Sequence, residues 1–357
     1  MDPRDRASRR LFAGLPRPEL DPPAERALAE LQPAGVILFD RNLRSVAQLR
    51  DLVAGVREVC RDPVLVAVDE EGGPVNRPRR VDDLFALLPD ARRQAAWPAD
   101  RLAAVWRAVG RALRCLGFDV DFAPVVDLDA GSGRNAIGPR AWSDDPDEVV
   151  RCAGAVLGGL ADAGIASCLK HFPGLGGTDV DTHRELAVSP MTPDRFETRD
   201  GRPFAELASR APMVMTAHAW YPGLEHADQA PRPATFSRPL VHGLLRSRLG
   251  YDGVVVSDDL GMGALAGHGG PDRRAVQALA AGCDVALFCA DLDAPRRARD
   301  AILAALRDGR LDEREHVEAL ARLGRLFARL HLDAPGPLPW QAWNAARDEL
   351  EAVLGAT

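Results

Sequence analysis

Hydrophobic residues along the chain gather in short runs that each end in polar or glycine-rich sequence. Eight runs stand out: residues 11–15, 35–39, 64–69, 120–125, 165–172, 213–218, 253–258 and 285–289. Each is too short for a typical helix, and continuous apolar runs of this length fit strands that are covered on both faces. The pattern therefore predicts a buried parallel sheet.

Amphipathic segments with helical period separate most of these runs. In residues 45–59 the side chains of Leu49, Leu52, Val53 and Val56 share one face. Further segments of this kind cover residues 99–117, 147–164, 238–250 and 272–282. The last of them ends at Gly282, which is typical of a helix C-terminus.

Eight strands that alternate with helices predict a (β/α)8 barrel of the TIM type, and an open doubly wound sheet is the competing architecture. We expect one α/β domain over residues 1–335 and a C-terminal helix within residues 336–357, packed on the same domain. Four polar residues lie at or just beyond strand ends: Asp69, His171, His218 and Asp258. In a barrel the carboxyl ends of all strands meet at one mouth, where active sites form, so this distribution favours the barrel.

Charge and composition exclude several classes of partner. The formal net charge is −7 and no block of basic residues occurs, so we expect neither nucleic acid nor an anionic membrane as a partner. No apolar run approaches the length of a membrane span, and the first residues lack the apolar core of a signal peptide. The six cysteines form no CxxC pair and predict small buried residues in a reducing cytoplasm. Nothing in the pattern calls for a cofactor or metal, and it gives no oligomeric state.

Two acidic segments follow predicted strands. Asp69 is followed by two glutamates and two glycines, and Asp258 by Asp259. At a barrel mouth a carboxylate can accept hydrogen bonds from two sugar hydroxyls, although an acidic surface turn is an equal alternative for the first segment. Adjacent residues of a strand point to opposite sides, so only one of Asp258 and Asp259 is expected to face the mouth. The other can cap a helix.

The segment SCLKHFPGLGGTDVDTH, residues 167–183, contains the only lysine among 45 basic residues, Lys170. Lysine is a compact charge with three rotatable donors, whereas arginine is a broad fork, so a tight pocket for a hydroxyl group would favour lysine. Chance retention and a buried ion pair are the alternatives. Arg140 is a candidate second cation at the mouth.

Asp181 and His183 end the same segment. In an extended loop residues i and i+2 lie on one side, and an aspartate bonded to a histidine orients the ring and favours its protonated form. The pair is then a candidate proton donor. A surface turn with an incidental histidine is an equally good alternative.

The motifs taken together resemble glycoside hydrolase family 3, of the bacterial β-N-acetylhexosaminidase type. The likeness runs from about residue 11 to residue 290 and rests on GVILFDRN, DEEGG, DFAPVVD, NAIGPRAW, KHFPGLGGTDVDTH and SDDLGM. It implies a TIM barrel and a retaining glycosidase that removes terminal β-linked N-acetylglucosamine, or a related hexose, from oligosaccharides or cell-wall fragments.

The resemblance also implies residue roles. Asp258 falls on the nucleophile that forms a covalent glycosyl intermediate, and His183 with Asp181 falls on the acid/base dyad of a mobile loop. The expected sugar contacts are Asp69, Arg140, Lys170 and His171. His218, at another strand end, is expected to line the same mouth.

Three positions depart from the family pattern. Leu175 replaces a histidine, Glu70 a glutamine and Pro74 an arginine. These departures concern the subsite beyond the cleaved sugar. The resemblance leaves phosphorolysis open as an alternative, because a neutral histidine repels phosphate less than a carboxylate does. Two other classes are a metal-dependent amidohydrolase that uses His171, His218 and aspartates, and a non-catalytic sugar-binding protein.

Overall fold

The computed structural model describes residues 2–129, 131, 137–178, 186–225, 230–330 and 339–355. Its centre is a closed barrel of eight parallel strands in sequential order, so the predicted (β/α)8 barrel is confirmed and the open sheet is excluded. The strands are β1 (Leu11–Gly14), β2 (Gly35–Ile37), β3 (Leu65–Val68), β4 (Val120–Asp121), β5 (Ala166–Phe172), β6 (Met213–Thr216), β7 (Val254–Asp259) and β8 (Val285–Phe288).

Helices surround the barrel. The α-helices are α1 (Pro3–Ser8), α2 (Pro22–Leu31), α3 (Val46–Val59), α4 (Ala91–Gln94), α5 (Ala99–Leu116), α6 (Pro146–Asp162), α7 (Pro193–Arg195), α8 (Arg202–Leu207), α9 (Pro271–Ala281), α10 (Asp293–Arg307), α11 (Glu313–Arg329) and α12 (Trp340–Gly355). The 3₁₀ turns are Asp40–Asn42, Pro78–Arg80, Asp83–Leu87, Gly138–Arg140, Ala208–Arg210, Ala234–Phe236 and Gly263–His268. Two segments are π-helical, Phe196–Asp200 and Pro239–Arg248. Outside the barrel, short paired segments are Glu70–Gly72 with Val75–Asn76 and Ala187–Val188 with Ala219–Trp220.

Local sequence explains where several helices begin and end. The Ser45 side chain accepts the Gln48 N–H and so caps α3, whose buried face is the predicted one. Gly282 ends α9 with φ of 119°, a conformation that favours glycine. The predicted helix at 238–250 is observed as the π-helix Pro239–Arg248, so its position is confirmed and its winding differs.

The barrel interior is apolar, and one helix closes its lower end. Inward-facing barrel residues such as Phe12 and Val254 pack against this end of the chain. They contact Leu323 and Leu326 of α11, and Leu330 just beyond its last residue. This helix was not among the predicted ones, although its apolar positions repeat with helical period. Because α11 covers the amino ends of the strands, the accessible opening of the barrel is at their carboxyl ends.

Strand β4 has only two ladder residues, Val120 and Asp121, and Pro124 follows it. Contact with β5 nevertheless continues, since Val126 N–H donates to the Lys170 carbonyl at 2.8 Å. This places Asp127 beside the end of β5.

The last helix packs against the barrel's outer layer. Trp343 and Leu350 of α12 are buried, and α12 contacts α5. Arg111 of α5 pairs with Glu349 at 2.7 Å. In the described ranges, no helix is both long and apolar enough to cross a membrane.

Candidate active site

A cavity of about 660 Å³ opens at the carboxyl ends of the barrel strands. Its polar lining includes Asp69, Glu71, Arg140, Lys170, His171 and Asp258. Apolar side chains such as Phe122, Met215 and Leu287 also line it. Five of the predicted site residues are therefore brought together here: Asp69, Arg140, Lys170, His171 and Asp258. Glu71 joins them, although sequence reasoning placed it only in an acidic turn.

Lys170, Glu71, Asp69 and Arg140 form one ion-pair cluster. The Lys170 Nζ atom lies 2.9 Å from Asp69 Oδ1 and 2.6 Å from Glu71 Oε1. Arg140 approaches Glu71 with two nitrogens, Nε at 2.7 Å from Oε2 and a terminal nitrogen at 2.9 Å from Oε1. Glu71 thus joins both cations, and its spacing of two residues from Asp69 was the available sequence signal.

Three members of this cluster, Glu71, Lys170 and Arg140, are held in their charged forms. Burial alone would raise the pKa of Glu71, but Arg140 and Lys170 outweigh it and hold that pKa well below its usual range. Burial would lower the pKa of Lys170, but Asp69 and Glu71 raise it above its ordinary value. Glu71 raises the pKa of Arg140 in the same way, against its burial. The cavity therefore holds fixed charges that can orient hydroxyl groups of a ligand.

The single lysine is in fact a buried ion pair that also lines the cavity. Its side chain is 2% exposed, and its ammonium lies between the carboxylates of Asp69 and Glu71. An ammonium has three hydrogens, so two bonds to carboxylates leave one donor for a ligand. The two predicted roles of Lys170, a buried ion pair and a ligand contact, are compatible in this geometry.

Replacement of Lys170 by arginine is expected to lower kcat/KM about ten- to hundred-fold, because the wider guanidinium does not fit between two carboxylates at this spacing. Glycosidase kinetics and thermal unfolding of the two proteins would measure the change. Lys170→Met is the control, because it keeps most of the stem but leaves both carboxylates without the ammonium. An arginine variant with full activity would mean that the site needs only a positive charge.

Lys170 and His171 both line the cavity, although neighbours in a regular strand point to opposite sides. The register of β5 against β6 shifts between Lys170 and Phe172, which breaks the alternation. The His171 Nδ1 atom lies 2.7 Å from Asp127 Oδ2. Asp127 is fully buried, and it was not predicted as a site residue.

Asp258 and Asp259 end β7 and differ in their environments. Asp258 Oδ1 accepts the Asp259 N–H at 2.7 Å. Burial opposes ionisation of Asp258, but His218, His171, this N–H and Lys170 outweigh it and lower its pKa. Asp259 instead accepts the N–H groups of Gly261 and Cys289, and its burial raises its pKa. The two carboxyls thus differ: Asp258 has a lowered pKa at the cavity, and Asp259 ties β7 to the end of β8.

His218 lies behind the cavity wall and is fully buried. Its Nε2 lies 3.0 Å from the Asp259 carbonyl oxygen, and its Nδ1 lies 2.8 Å from the Thr235 hydroxyl. Burial lowers its pKa, and Nε2 carries a hydrogen because the carbonyl oxygen of Asp259 can only accept one. It is not among the side chains that line the described part of the cavity, and it contacts the backbone next to Asp258 instead.

Glu70 and Asp121 form a second buried group of carboxyls beneath the site. The Glu70 N–H donates to Asp121 Oδ1 at 2.9 Å, and Glu70 Oε1 accepts the Gly72 N–H at 2.8 Å. Both side chains are fully buried. Burial, together with the charge of Asp121, raises the pKa of Glu70 well above its usual range. A protonated glutamic acid has the shape and one donor of the glutamine that occupies this position in the family pattern.

Glu70→Gln is expected to change how stability depends on pH. The folded-state pKa of Glu70 is above the unfolded value of about 4.3, so the folded chain binds this proton more tightly. The contribution of Glu70 to the free energy of unfolding is therefore greatest below the unfolded pKa. This contribution is lost as pH rises through the folded pKa. The amide cannot ionise, so the variant should gain stability relative to the parent as pH rises from the unfolded pKa of about 4.3 toward the raised folded pKa, by up to about 1.4 kcal/mol per pH unit.

Chemical denaturation of both proteins at several pH values measures this difference. Glu318→Gln on the surface of α11 is the control, because Glu318 lies in an exposed pair with Arg314. If the parent and the Glu70 variant lose stability in parallel as pH rises, Glu70 is ionised in the folded protein.

Asp181 and His183, the predicted acid/base pair, lie outside the described residues, and so does part of the NAIGPRAW motif. The segment that leads to them is described as far as Thr178, whose hydroxyl donates to the Leu175 carbonyl at 2.8 Å. Their roles remain predictions.

The fold and the cavity together define a class of protein. A TIM barrel whose mouth holds an aspartate of lowered pKa beside fixed cations and carboxylates suits an enzyme that binds a polyhydroxylated ligand.

Comparison with known proteins identifies the family. The model of the glycosyl hydrolase family 3 N-terminal domain matches residues 17–326. A beta-hexosaminidase from Stenotrophomonas maltophilia is 42% identical over 264 residues, which are 72% of this chain and 76% of that protein. The chain therefore belongs to glycosyl hydrolase family 3 and is a glycosidase. This result confirms the resemblance and excludes the amidohydrolase.

Solved structures agree with this assignment. A family 3 beta-N-acetylglucosaminidase from Paenibacillus sp. str. FPU-7 superposes with a TM-score of 0.90 at 31% identity, over 99% of this chain and 68% of that one. A family 3 glycosyl hydrolase from Mycobacterium smegmatis superposes with a TM-score of 0.82, also at 31% identity, over 91% of this chain and 97% of that one. The barrel described above is thus the fold of the family.

Proposed function

We propose that the protein is a retaining exo-glycosidase that removes terminal β-linked N-acetylglucosamine, or a closely related hexose, from oligosaccharides or cell-wall fragments. The names of its relatives support the sugar. The observation that carries the chemistry is the ionised Asp258 in the cavity, beside the cluster of Lys170, Glu71 and Arg140.

Catalysis then proceeds in two steps. The Asp258 carboxylate attacks the anomeric carbon and forms a glycosyl–aspartate ester while the bond to the leaving oxygen breaks. His183, oriented by Asp181, gives its proton to that oxygen. In the second step His183 takes a proton from water, the water oxygen attacks the anomeric carbon, and Asp258 leaves as a carboxylate.

The fixed charges of the cavity serve to bind the sugar. The third ammonium hydrogen of Lys170, the Asp69 carboxylate, Arg140 and the His171 ring supply donors and acceptors for hydroxyl groups. The low pKa of Asp258 keeps the nucleophile ionised at neutral pH. Because Glu71 holds Lys170 and Arg140 at fixed positions, it acts on the sugar through them.

Hydrolysis of an aryl N-acetyl-β-glucosaminide tests this proposal directly. The matched α-anomer and the aryl β-glucoside are the controls for anomer and N-acetyl specificity. NMR of the first product distinguishes retention from inversion. Comparison of turnover with and without phosphate distinguishes hydrolysis from phosphorolysis. Release of an inverted sugar, or no reaction with any β-hexoside, would contradict the proposal.

The cytoplasmic location remains a prediction from the cysteine content. Fractionation of the native host with an antibody to the protein would test it, with a known cytoplasmic enzyme and an exported enzyme as markers.

A further inference from the structure

Asp127 lies near the cavity and accepts several hydrogen bonds, but the mechanism above gives it no role. It follows the end of β4 and is fully buried. Its Oδ2 lies 2.7 Å from His171 Nδ1, and its Oδ1 accepts the Leu175 N–H at 2.6 Å. The His171 N–H approaches both oxygens at 3.3 Å. All of these donors belong to the segment 171–175 that ends β5 and begins the next loop.

The bonding pattern decides which ring nitrogen of His171 carries hydrogen. Both Asp127 oxygens face backbone N–H donors and so act as acceptors, which makes Nδ1 the donor toward Oδ2. Nε2 is then the ring atom that remains for the cavity, which His171 lines. In a neutral ring it is an acceptor, and in a protonated ring it is a second donor. Without Asp127 the ring would be free to rotate or to exchange tautomers.

The same carboxylate lies at the base of the loop toward Asp181 and His183. The Gly174 N–H donates to the His171 carbonyl at 2.7 Å, and the Tyr221 hydroxyl donates to the Gly174 carbonyl at 2.8 Å. A side chain on Gly176 would collide with the Leu128 carbonyl oxygen. The loop is therefore held against the segment that carries Asp127 as far as it is described.

We propose that Asp127 is a positioning residue that fixes the ring orientation and tautomer of His171 for substrate binding. The proposal deepens the proposed function, since it rests on His171 as a contact of the sugar. Asp127 does not touch the substrate itself. A carboxylate is required in this role because an amide at the same place would present its NH₂ to Nδ1 and drive the hydrogen to Nε2.

The first test is made on the unaltered protein. Histidine labelled with ¹⁵N reports the hydrogen on each ring nitrogen, and His171→Ala assigns the His171 signals among the eight histidines. At a pH where exposed histidines are neutral, His171 is expected to carry hydrogen on Nδ1. A bare Nδ1 overturns the proposal, and this result does not depend on any glycosidase activity.

The second test uses Asp127→Asn, which keeps an acceptor for the Leu175 N–H and replaces the oxygen that faces Nδ1 by an NH₂ donor. We expect the hydrogen to move to Nε2 and kcat/KM to fall about ten- to hundred-fold. Asp119→Asn is the matched control. Asp119 is also fully buried on the same segment, but it binds Arg57 and Arg114 at the opposite end of the barrel.

A double-mutant cycle separates positioning from a merely structural role. In the His171→Ala background, Asp127→Asn should cost no further activity on an aryl glycoside, because the ring on which it acts is absent. An undiminished loss in that background, or an equal loss in Asp119→Asn, overturns the proposal. If the unaltered protein cleaves no glycoside, the proposed function fails, whereas the NMR result still decides whether Asp127 positions His171.

Discussion

Asp258→Ala is expected to reduce turnover by a factor on the order of 10⁴ or more while the protein stays folded. The carboxylate is the proposed nucleophile, so its removal prevents formation of the glycosyl ester with every substrate. The residue lies at the cavity and not in the apolar core, which limits the cost to stability. Steady-state kinetics on an aryl N-acetyl-β-glucosaminide and thermal unfolding measure the two effects.

Asp259→Asn is the matched control, because it changes the adjacent carboxyl of the same strand. Asp259 accepts the backbone N–H groups of Gly261 and Cys289. The Asp259→Asn variant is therefore expected to lower activity only by disturbing the local backbone geometry, and by a smaller factor than Asp258→Ala. A slow 2-fluoro or 5-fluoro glycoside should label Asp258 covalently in the parent. Peptide mapping that places the label on Asp259, or finds no label, would contradict the assignment.

The fold could be predicted because each strand of a closed parallel barrel is covered on both faces. The eight apolar runs coincide with β1–β8 to within a few residues at each end. Their alternation with amphipathic segments left few other architectures. The helix α11 was not predicted because it packs across the lower end of the barrel and lies outside the repeating βα pattern.

The candidate site could be predicted in part, because the polar residues at strand ends meet at one mouth. Asp69, Lys170, His171 and Asp258 line the cavity as expected. Strict alternation along β5 would have separated Lys170 from His171, and only the register shift in the structure brings both inward. Alternation along a strand is thus a poor guide at the point where the strand leaves the ladder.

Glu71 and Asp127 could not be assigned from sequence because their roles depend on partners that are distant along the chain. Glu71 pairs with residues 69 and 99 positions away, Arg140 and Lys170. Asp127 binds a ring 44 positions away. Each appears in the sequence as one more acid after an apolar run. His218 shows the converse case. Its position at a strand end predicted that it would line the cavity, but its ring is fully buried behind the cavity wall.

His183→Ala is expected to harm substrates with poor leaving groups far more than activated aryl glycosides. A general acid contributes about 10²–10⁴-fold, and an oxygen that departs as a stable phenolate needs little of this help. We therefore expect a loss of this size for an alkyl glycoside or a disaccharide and a much smaller loss in the glycosylation step for a dinitrophenyl glycoside. Measurement of kcat/KM over a series of leaving groups gives the dependence directly.

His242→Ala is the control, because His242 lies on the π-helix Pro239–Arg248, away from the residues that line the cavity. Asp181→Asn should give the same pattern as His183→Ala with a smaller loss, because it removes the partner of the ring and not the ring itself. If the losses in His183→Ala are equal for good and poor leaving groups, His183 is not the acid. The proton must then come from another group at the mouth, and the His171 ring held by Asp127 is the described imidazole that already faces the cavity.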